Sequence, residues 1–215
     1  MPFVYISGII MELKSNSDWV NRINEEPNLN NIFYKNTING HCDYGIFLAL
    51  NDIVKMLPSV GTMFEIGTMF GRSTVFLAEL FRLHNKSYTI YSIDLFSEPN
   101  ISKDFFDIAK SNCEKYKEIN LIRCDLFEAN THIELKDKKF TCVLECSNHD
   151  LKATTFCLNT WLPLLEDNGI YCGHDWIKFF PEIEQIIIPL VGNKVINKKY
   201  SKQQLIWWLN GINAQ

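Results

Sequence analysis

Between residues 64 and 74 the chain reads Phe64-Glu65-Ile66-Gly67-Thr68-Met69-Phe70-Gly71-Arg72-Ser73-Thr74, an apolar run closed by an acid and a glycine, with a second glycine at 71. Glycine at 67 and 71 allows a tight turn whose backbone lies against a ligand with no Cβ in the way. A helix beginning at Arg72 would aim its unpaired amides at that ligand. A diphosphate-bearing dinucleotide calls for G-x-G-x-x-G, but position 69 is methionine and the spacing is G-x-x-x-G. The acid at 65 suits a ligand carrying an ammonium group, which the amino-acid end of S-adenosylmethionine (SAM) supplies. Asp94 closes the next apolar run, Tyr91-Ser92-Ile93-Asp94, where a carboxylate can accept both hydroxyls of a ribose. Capping of the following turn is the plainer alternative for it. Asp125, after a third run, could reach an adenine edge or be a solvated turn carboxylate.

A second group of reactive side chains lies further on, Glu145 to His149 and then His174-Asp175. In an open parallel sheet, ligands gather at the carboxyl ends of the strands, so both clusters should face the cofactor. Methyl transfer to oxygen needs an acceptor hydroxyl held in line and relieved of its proton, by a base or by a metal acting as Lewis acid. The candidate catalytic residues are therefore His149, His174 and Asp175, although His174 could merely cap a turn. Glu145 and Asp175 are the candidate ligands of a divalent metal, Mg2+. His41, His84 and His132 read as surface or packing histidines. His41-Cys42-Asp43 could belong to a lid over the cofactor, with helix capping by Asp43 as the simpler explanation.

The elements that would position these groups follow from periodicity. Phe47–Leu57 has helical spacing and is closed by Pro58. Strands are expected at 62–67, 88–94, 119–124, 140–145 and 170–173, with helices at 72–83, 104–117 and 153–165 between them. Such alternation predicts an α/β fold with a parallel sheet and helices on both faces. The last 30 or so residues break the rhythm: a helix at 182–190, then β-rich runs at 194–197 and 204–210, close enough to pair only antiparallel. At least one of Trp207 and Trp208 should be core, because adjacent strand residues face opposite sides. The other could serve a subunit contact in a homo-oligomer. Residues 1–45, rich in asparagine and weakly periodic, are expected to form short helices and loops, a lid or acceptor-site flank beside a single domain over 46–215.

Glu65 to Thr74 resembles the E-I-G-x-x-x-G-R-S-T signature of small class I SAM-dependent methyltransferases. Trp161-Leu162-Pro163-Leu164-Leu165, Asn168-Gly169-Ile170 and Gly173-His174-Asp175-Trp176 resemble their W-L-P-L-L-x-x-G-G-I-x-x-G-H-D-W ending. The resemblance is to the group that includes macrolide-sugar O-methyltransferases and cephalosporin-hydroxylase-like proteins, and it covers roughly residues 45 to 210. It implies a Rossmann-like, mostly parallel sheet of seven strands with the last hairpin at one edge. It also implies that Glu65, Gly67, Thr68, Gly71 and Ser73 meet the methionine part of SAM, Asp94 the ribose, and Asp125 and Leu126 the adenine. The related enzymes carry I-D-G-x-H after the fourth strand, the Asp binding metal and the His able to serve as base. Here the stretch is Glu145-Cys146-Ser147-Asn148-His149, with cysteine in place of the Asp. A thiol is a poor ligand for magnesium, which prefers hard oxygen donors. Glu145 replaces the missing ligand only if the strand has already ended, since neighbouring strand residues face opposite ways. Three readings of the cluster follow: His149 as base without metal, Glu145 and Asp175 holding a metal, or a SAM-binding pseudo-enzyme or sensor without turnover.

The net charge of -4 argues against a surface built to neutralise phosphates, so no nucleic-acid partner is expected and the acceptor is read as a small molecule. Seven cysteines without a C-x-x-C pair read as buried free thiols of a cytoplasmic protein. No run approaches the roughly 20 apolar residues of a membrane span, and Phe3–Met11 lacks the flanks of a signal peptide. No membrane partner is expected.

Overall fold

Along each central strand, side chains alternate between two cores, and this alternation decides which residues can reach the site. The computed structural model describes residues 5–6, 9–10, 26–97, 104–146, 150–176, 185, 187, 189, 196–200 and 205–210. The strands are β1 (Tyr5–Ile6), β2 (Ile9–Ile10), β3 (Val60–Ile66), β4 (Ser87–Asp94), β5 (Ile119–Arg123), β6 (Phe140–Glu145), β7 (Leu165–Trp176), β8 (Ile196–Tyr200) and β9 (Leu205–Asn210). The helices are α1 (Pro27–Lys35), α2 (Tyr44–Met56), α3 (Arg72–Leu83), α4 (Phe106–Cys113) and α5 (Leu151–Trp161).

Seven strands form one sheet in the order β5-β4-β3-β6-β7-β9-β8. The first five pair parallel, while β9 runs antiparallel to both β7 and β8. This is the Rossmann-like sheet with its late hairpin that the sequence predicts. On one face Met63, Ile90, Cys142, Leu144 and Cys172 pack against α2 and α3. On the other, Phe64, Ile93, Val143 and Tyr171 pack against Cys157, Leu158 and Trp161 of α5. Trp207 is buried and stacks on Tyr171, while Trp208 packs against the opposite core, so one tryptophan of the pair is core as expected.

The boundaries differ from the sequence expectation where local chemistry intervenes. α5 stops at Trp161 and tightens into a 3-10 turn over Leu162–Leu164, because Pro163 cannot supply an amide to a continuing helix. β7 is longer than expected, starting at Leu165 and absorbing Asn168-Gly169 through a register shift between Phe140 and Cys142. α4 is shorter: Asp104 lies ahead of it, its side chain accepting from the Phe106 amide, and a turn from Cys113 to Tyr116 follows it. Tyr5–Ile6 and Ile9–Ile10 pair antiparallel where helices and loops are expected. Of the expected helix at 182–190, residues 185, 187 and 189 are helical, and the remainder lies outside the described residues. No helix among the described residues is long and apolar enough to cross a membrane.

Candidate active site

The turn after β3 is built from positive-φ residues, Gly67 at 100°, Met69 at 49° and Gly71 at 85°. Glycine adopts such angles without steric cost; at Met69 the conformation is held by its surroundings. The Gly67 amide donates to the Ile93 carbonyl at 2.9 Å, joining the turn to β4. Asp94, the last residue of β4, accepts from the amides of Thr68 at 2.9 Å, Met69 at 2.7 Å and Phe96 at 2.7 Å. Its carboxylate thus locks two strand ends together. α2 and α5 are capped by Asp43 and Asp150, but α3 starts on Gly71 without a side-chain cap, leaving its first amides open to a ligand. A Cβ at Gly71 would lie 2.9 Å from Cys113 Sγ, so α4 also holds this corner closed.

Two cavities of about 350 and 280 Å³ open over these strand ends. They share His41, Gly67, Met69, Asp94 and Cys146 as a common border. The first continues past Thr68, Ser73, Arg72 and His174; the second continues past Leu95, Phe105, Leu126 and Phe127, beside Asp125. A volume of a few hundred Å³, largely apolar with a few convergent polar groups, is the usual form of a small-ligand site. The lining can be matched to SAM: Thr68 and Ser73 on one side for the amino acid, Leu95, Phe105 and Leu126 on the other for the adenine, and the Asp94 carboxylate on the border between them. Met69 stands at the border, where a diphosphate would call for glycine.

The expected cofactor residues divide into two sets. Gly67, Thr68, Ser73, Asp94, Asp125 and Leu126 line the cavities. Glu65 and Gly71 do not. Glu65 is fully buried on the α3 face, its carboxylate accepting from Thr74 Oγ1 and Ser92 Oγ, each at 2.5 Å. Burial pushes its carboxyl above the ordinary value, opposed by the hydroxyls of Ser73, Ser92 and Thr74. Glu65 therefore meets the cavity through Ser73, not directly. Asp125 also accepts from the Phe127 amide at 2.8 Å, so it caps the 3-10 turn over Leu126–Thr131.

The catalytic and metal candidates separate further. Glu145 ends β6 with its side chain on the α5 face, 2% exposed, accepting from the Tyr171 hydroxyl at 3.0 Å. Burial pushes it up to about 7, against the lowering influence of Thr154, Tyr171 and His174. It lines neither cavity, whereas Cys146, one residue on, lines both. The donor set for magnesium is not assembled among the described residues, where no group of three or more His, Cys, Asp or Glu could hold a metal. His174 is nearly buried and lines the first cavity. Asp175 follows it in β7, with a side chain outside the described residues, as is the whole of His149.

Sequence reasoning reached His41 only as an alternative, part of a lid over the cofactor, and Cys146 only as the residue standing in place of a metal-binding Asp; both line the two cavities. His41 is exposed and read as a surface or packing histidine, yet it lines both cavities. The available signal was Asp43, whose side chain accepts from the Ile46 amide at 2.9 Å and fixes the start of α2 beside the strand ends. His84 hydrogen-bonds Asn51 at 2.7 Å on the α2–α3 side, and His132 sits in the turn after Thr131, both away from the cavities.

Comparison with known proteins agrees with this geometry. Residues 64–176, more than half of the chain, match the family model described as a methyltransferase domain. Among curated proteins nothing matches. The fold is similar to that of the O-methyltransferase NovP, with 13% sequence identity, a TM-score of 0.60 and coverage of 80% of this chain and 83% of that one. An rRNA methylase from Streptococcus thermophilus gives 10% identity and a TM-score of 0.59 over 81% of this chain and all of its own. A Streptococcus mutans protein assigned as a methyltransferase, solved in complex with SAH, gives 12% identity and a TM-score of 0.57 over 79% of this chain and 99% of its own. The chain belongs to the methyltransferase-domain family and is a class I, SAM-dependent methyltransferase.

Proposed function

We propose that this enzyme methylates a hydroxyl of a small-molecule acceptor. The observation that carries the reading is the pair of cavities meeting at Asp94, Gly67 and Met69, of a size suited to the two halves of an aminoacyl nucleoside and lined as well by Cys146 after β6 and His174 of β7. Gly67, Thr68 and Ser73 hold the amino-acid end, with Glu65 and Gly71 shaping the turn behind them. Asp94 holds the ribose, and Asp125 and Leu126 flank the adenine. When bound, SAM supplies an electrophilic methyl on a sulfonium sulfur. The acceptor oxygen forms the new bond to carbon as the carbon–sulfur bond breaks, and its proton passes to a base. His149 is the candidate for that base, with His174 and Asp175 orienting the acceptor from the end of β7. Glu145, one of the two expected magnesium ligands, faces the α5 side of the sheet against Tyr171 and lines neither cavity.

Support for a small acceptor comes from the net charge of -4, the one basic cluster of the sequence, Lys194 to Lys202, being explained as well by a solvated hairpin turn. Isothermal titration with SAM, SAH and NAD tests the cofactor: SAM and SAH should bind and NAD should not. Release of SAH over a panel of sugar and polyketide hydroxyls, with an rRNA fragment as the competing acceptor, tests the chemistry. Methylation of the rRNA alone would overturn the small-molecule assignment. SAM binding with no release over the whole panel would favour a binding module without turnover, the reading that Cys146 in the metal-ligand position supports. His149→Ala should abolish release, and unchanged release would remove His149 from the mechanism.

A further inference from the structure

The sulfur of SAM joins the amino-acid chain to the ribose. Any pose that puts one half in each cavity therefore sets the sulfur and its methyl at the border between them. Five residues form that border, and four of them belong to strand ends: Gly67 and Met69 in the turn after β3, Asp94 ending β4, and Cys146 after β6. The fifth, His41, comes from outside the sheet, on the segment joining α1 to α2.

That segment is held from several directions. Arg72, the first residue of α3, donates from a guanidinium nitrogen to the Ile38 carbonyl at 2.7 Å. The same guanidinium lies 5.4 Å from the ring centres of Phe33 and Phe76, clamped between α1 and α3. Gly40 passes so close that a Cβ there would sit 3.0 Å from Arg72 Cβ. Cys42 is buried, and Asp43 caps α2. His41 is the exposed residue between these anchors, so its backbone is held where both cavities meet. Of the side chains on the border, Asp94 is committed to three backbone amides, and Met69 and Cys146 belong to the floor.

From this geometry we propose that His41 is the contact residue that closes over the sulfonium centre, supplied by the N-terminal segment and positioned by Arg72. This deepens the SAM reading of the same cavities and depends on it. The segment from Ile38 to Cys42 thereby becomes one wall of the space in which the methyl meets its acceptor.

The test needs no acceptor. The chain has five histidines, whose ring Cε1–H signals are resolvable by NMR, and that of His41 is identified by its loss in His41→Gln. Titration of the wild-type protein with SAM should move the His41 signal, and SAH should move it to a different position, because SAH lacks the methyl and the positive charge. His84 and His132 should stay in place as internal controls. His41→Gln should bind SAM roughly tenfold more weakly at unchanged thermal stability. Saturation with SAM that leaves the His41 signal where it was, or unchanged SAM affinity in a folded His41→Gln protein, would overturn the proposal while leaving the cofactor reading intact. Failure of the wild-type protein to bind SAM at all would overturn both.

Discussion

Two buried acids end neighbouring strands of this sheet, and they have opposite surroundings. Glu65 in β3 sits on the α3 face among the hydroxyls of Thr74 and Ser92, behind the turn that forms the cavity floor. Glu145 in β6 sits on the α5 face against Tyr171 and Thr154, lining neither of the two cavities. The difference is one of parity: Glu65 is the last residue but one of its strand, and Glu145 is the last. Pleating sends them to opposite faces of a sheet whose ligand lies across its edge. At the β3 end, the acid that reaches the ligand space is contributed by the next strand, as Asp94. At the β6 end, the following residue is Cys146, and the acid is left in the core.

The sharpest way to break this contrast is to remove Asp94. Asp94→Ala loses the acceptor of three backbone amides and the partner of the ribose, and charge-assisted hydrogen bonds contribute about 1.5–3 kcal/mol each. SAM affinity should fall on the order of a thousandfold by titration calorimetry. Glu145→Gln should do the reverse, leaving SAM affinity within about twofold and changing stability instead. The carboxyl of Glu145 is raised in the folded protein to about 7, so its contribution to stability is full below the unfolded value near 4.5 and is lost as pH rises through about 7. The neutral amide avoids that loss. Unfolding curves should show the variant equal to wild type in acid and more stable above neutrality, by on the order of 3 kcal/mol. A smaller effect is expected from Arg72→Ala, which releases Ile38 and should weaken SAM binding about tenfold by the same calorimetry. Smallest of all, magnesium or a chelator should change SAH release by less than about twofold, since Glu145 offers the site no oxygen ligand.

The contrast also marks what the sequence could disclose. The turn from Glu65 to Thr74 is legible because its glycines, its helix start and Asp94 are local signals, each readable within a few residues. The parallel strands are legible for the same reason, as apolar runs separated by helical spacing. Glu145 was ambiguous because parity turns on where a strand ends, and a single residue moves the side chain to the other face. Pro163 does mark the end of α5, but Asn168-Gly169 read as a break that the tertiary pairing with β6 overrode, carrying β7 through them from Leu165. His41 was legible only as one of two alternatives, a lid residue or a surface histidine, and for a different reason. Its place at the border depends on contacts of Arg72 and Gly40 across more than 30 residues of chain, which no local pattern encodes.

The central claim is that the two cavities over Asp94 are one cofactor site. A crystal structure of the protein soaked with SAM tests it most directly. The account predicts difference density running from Thr68 and Ser73, past Asp94 and under His41, to Leu95, Phe105 and Leu126. Density confined to another part of the surface, with both cavities unfilled at saturating SAM, would contradict it.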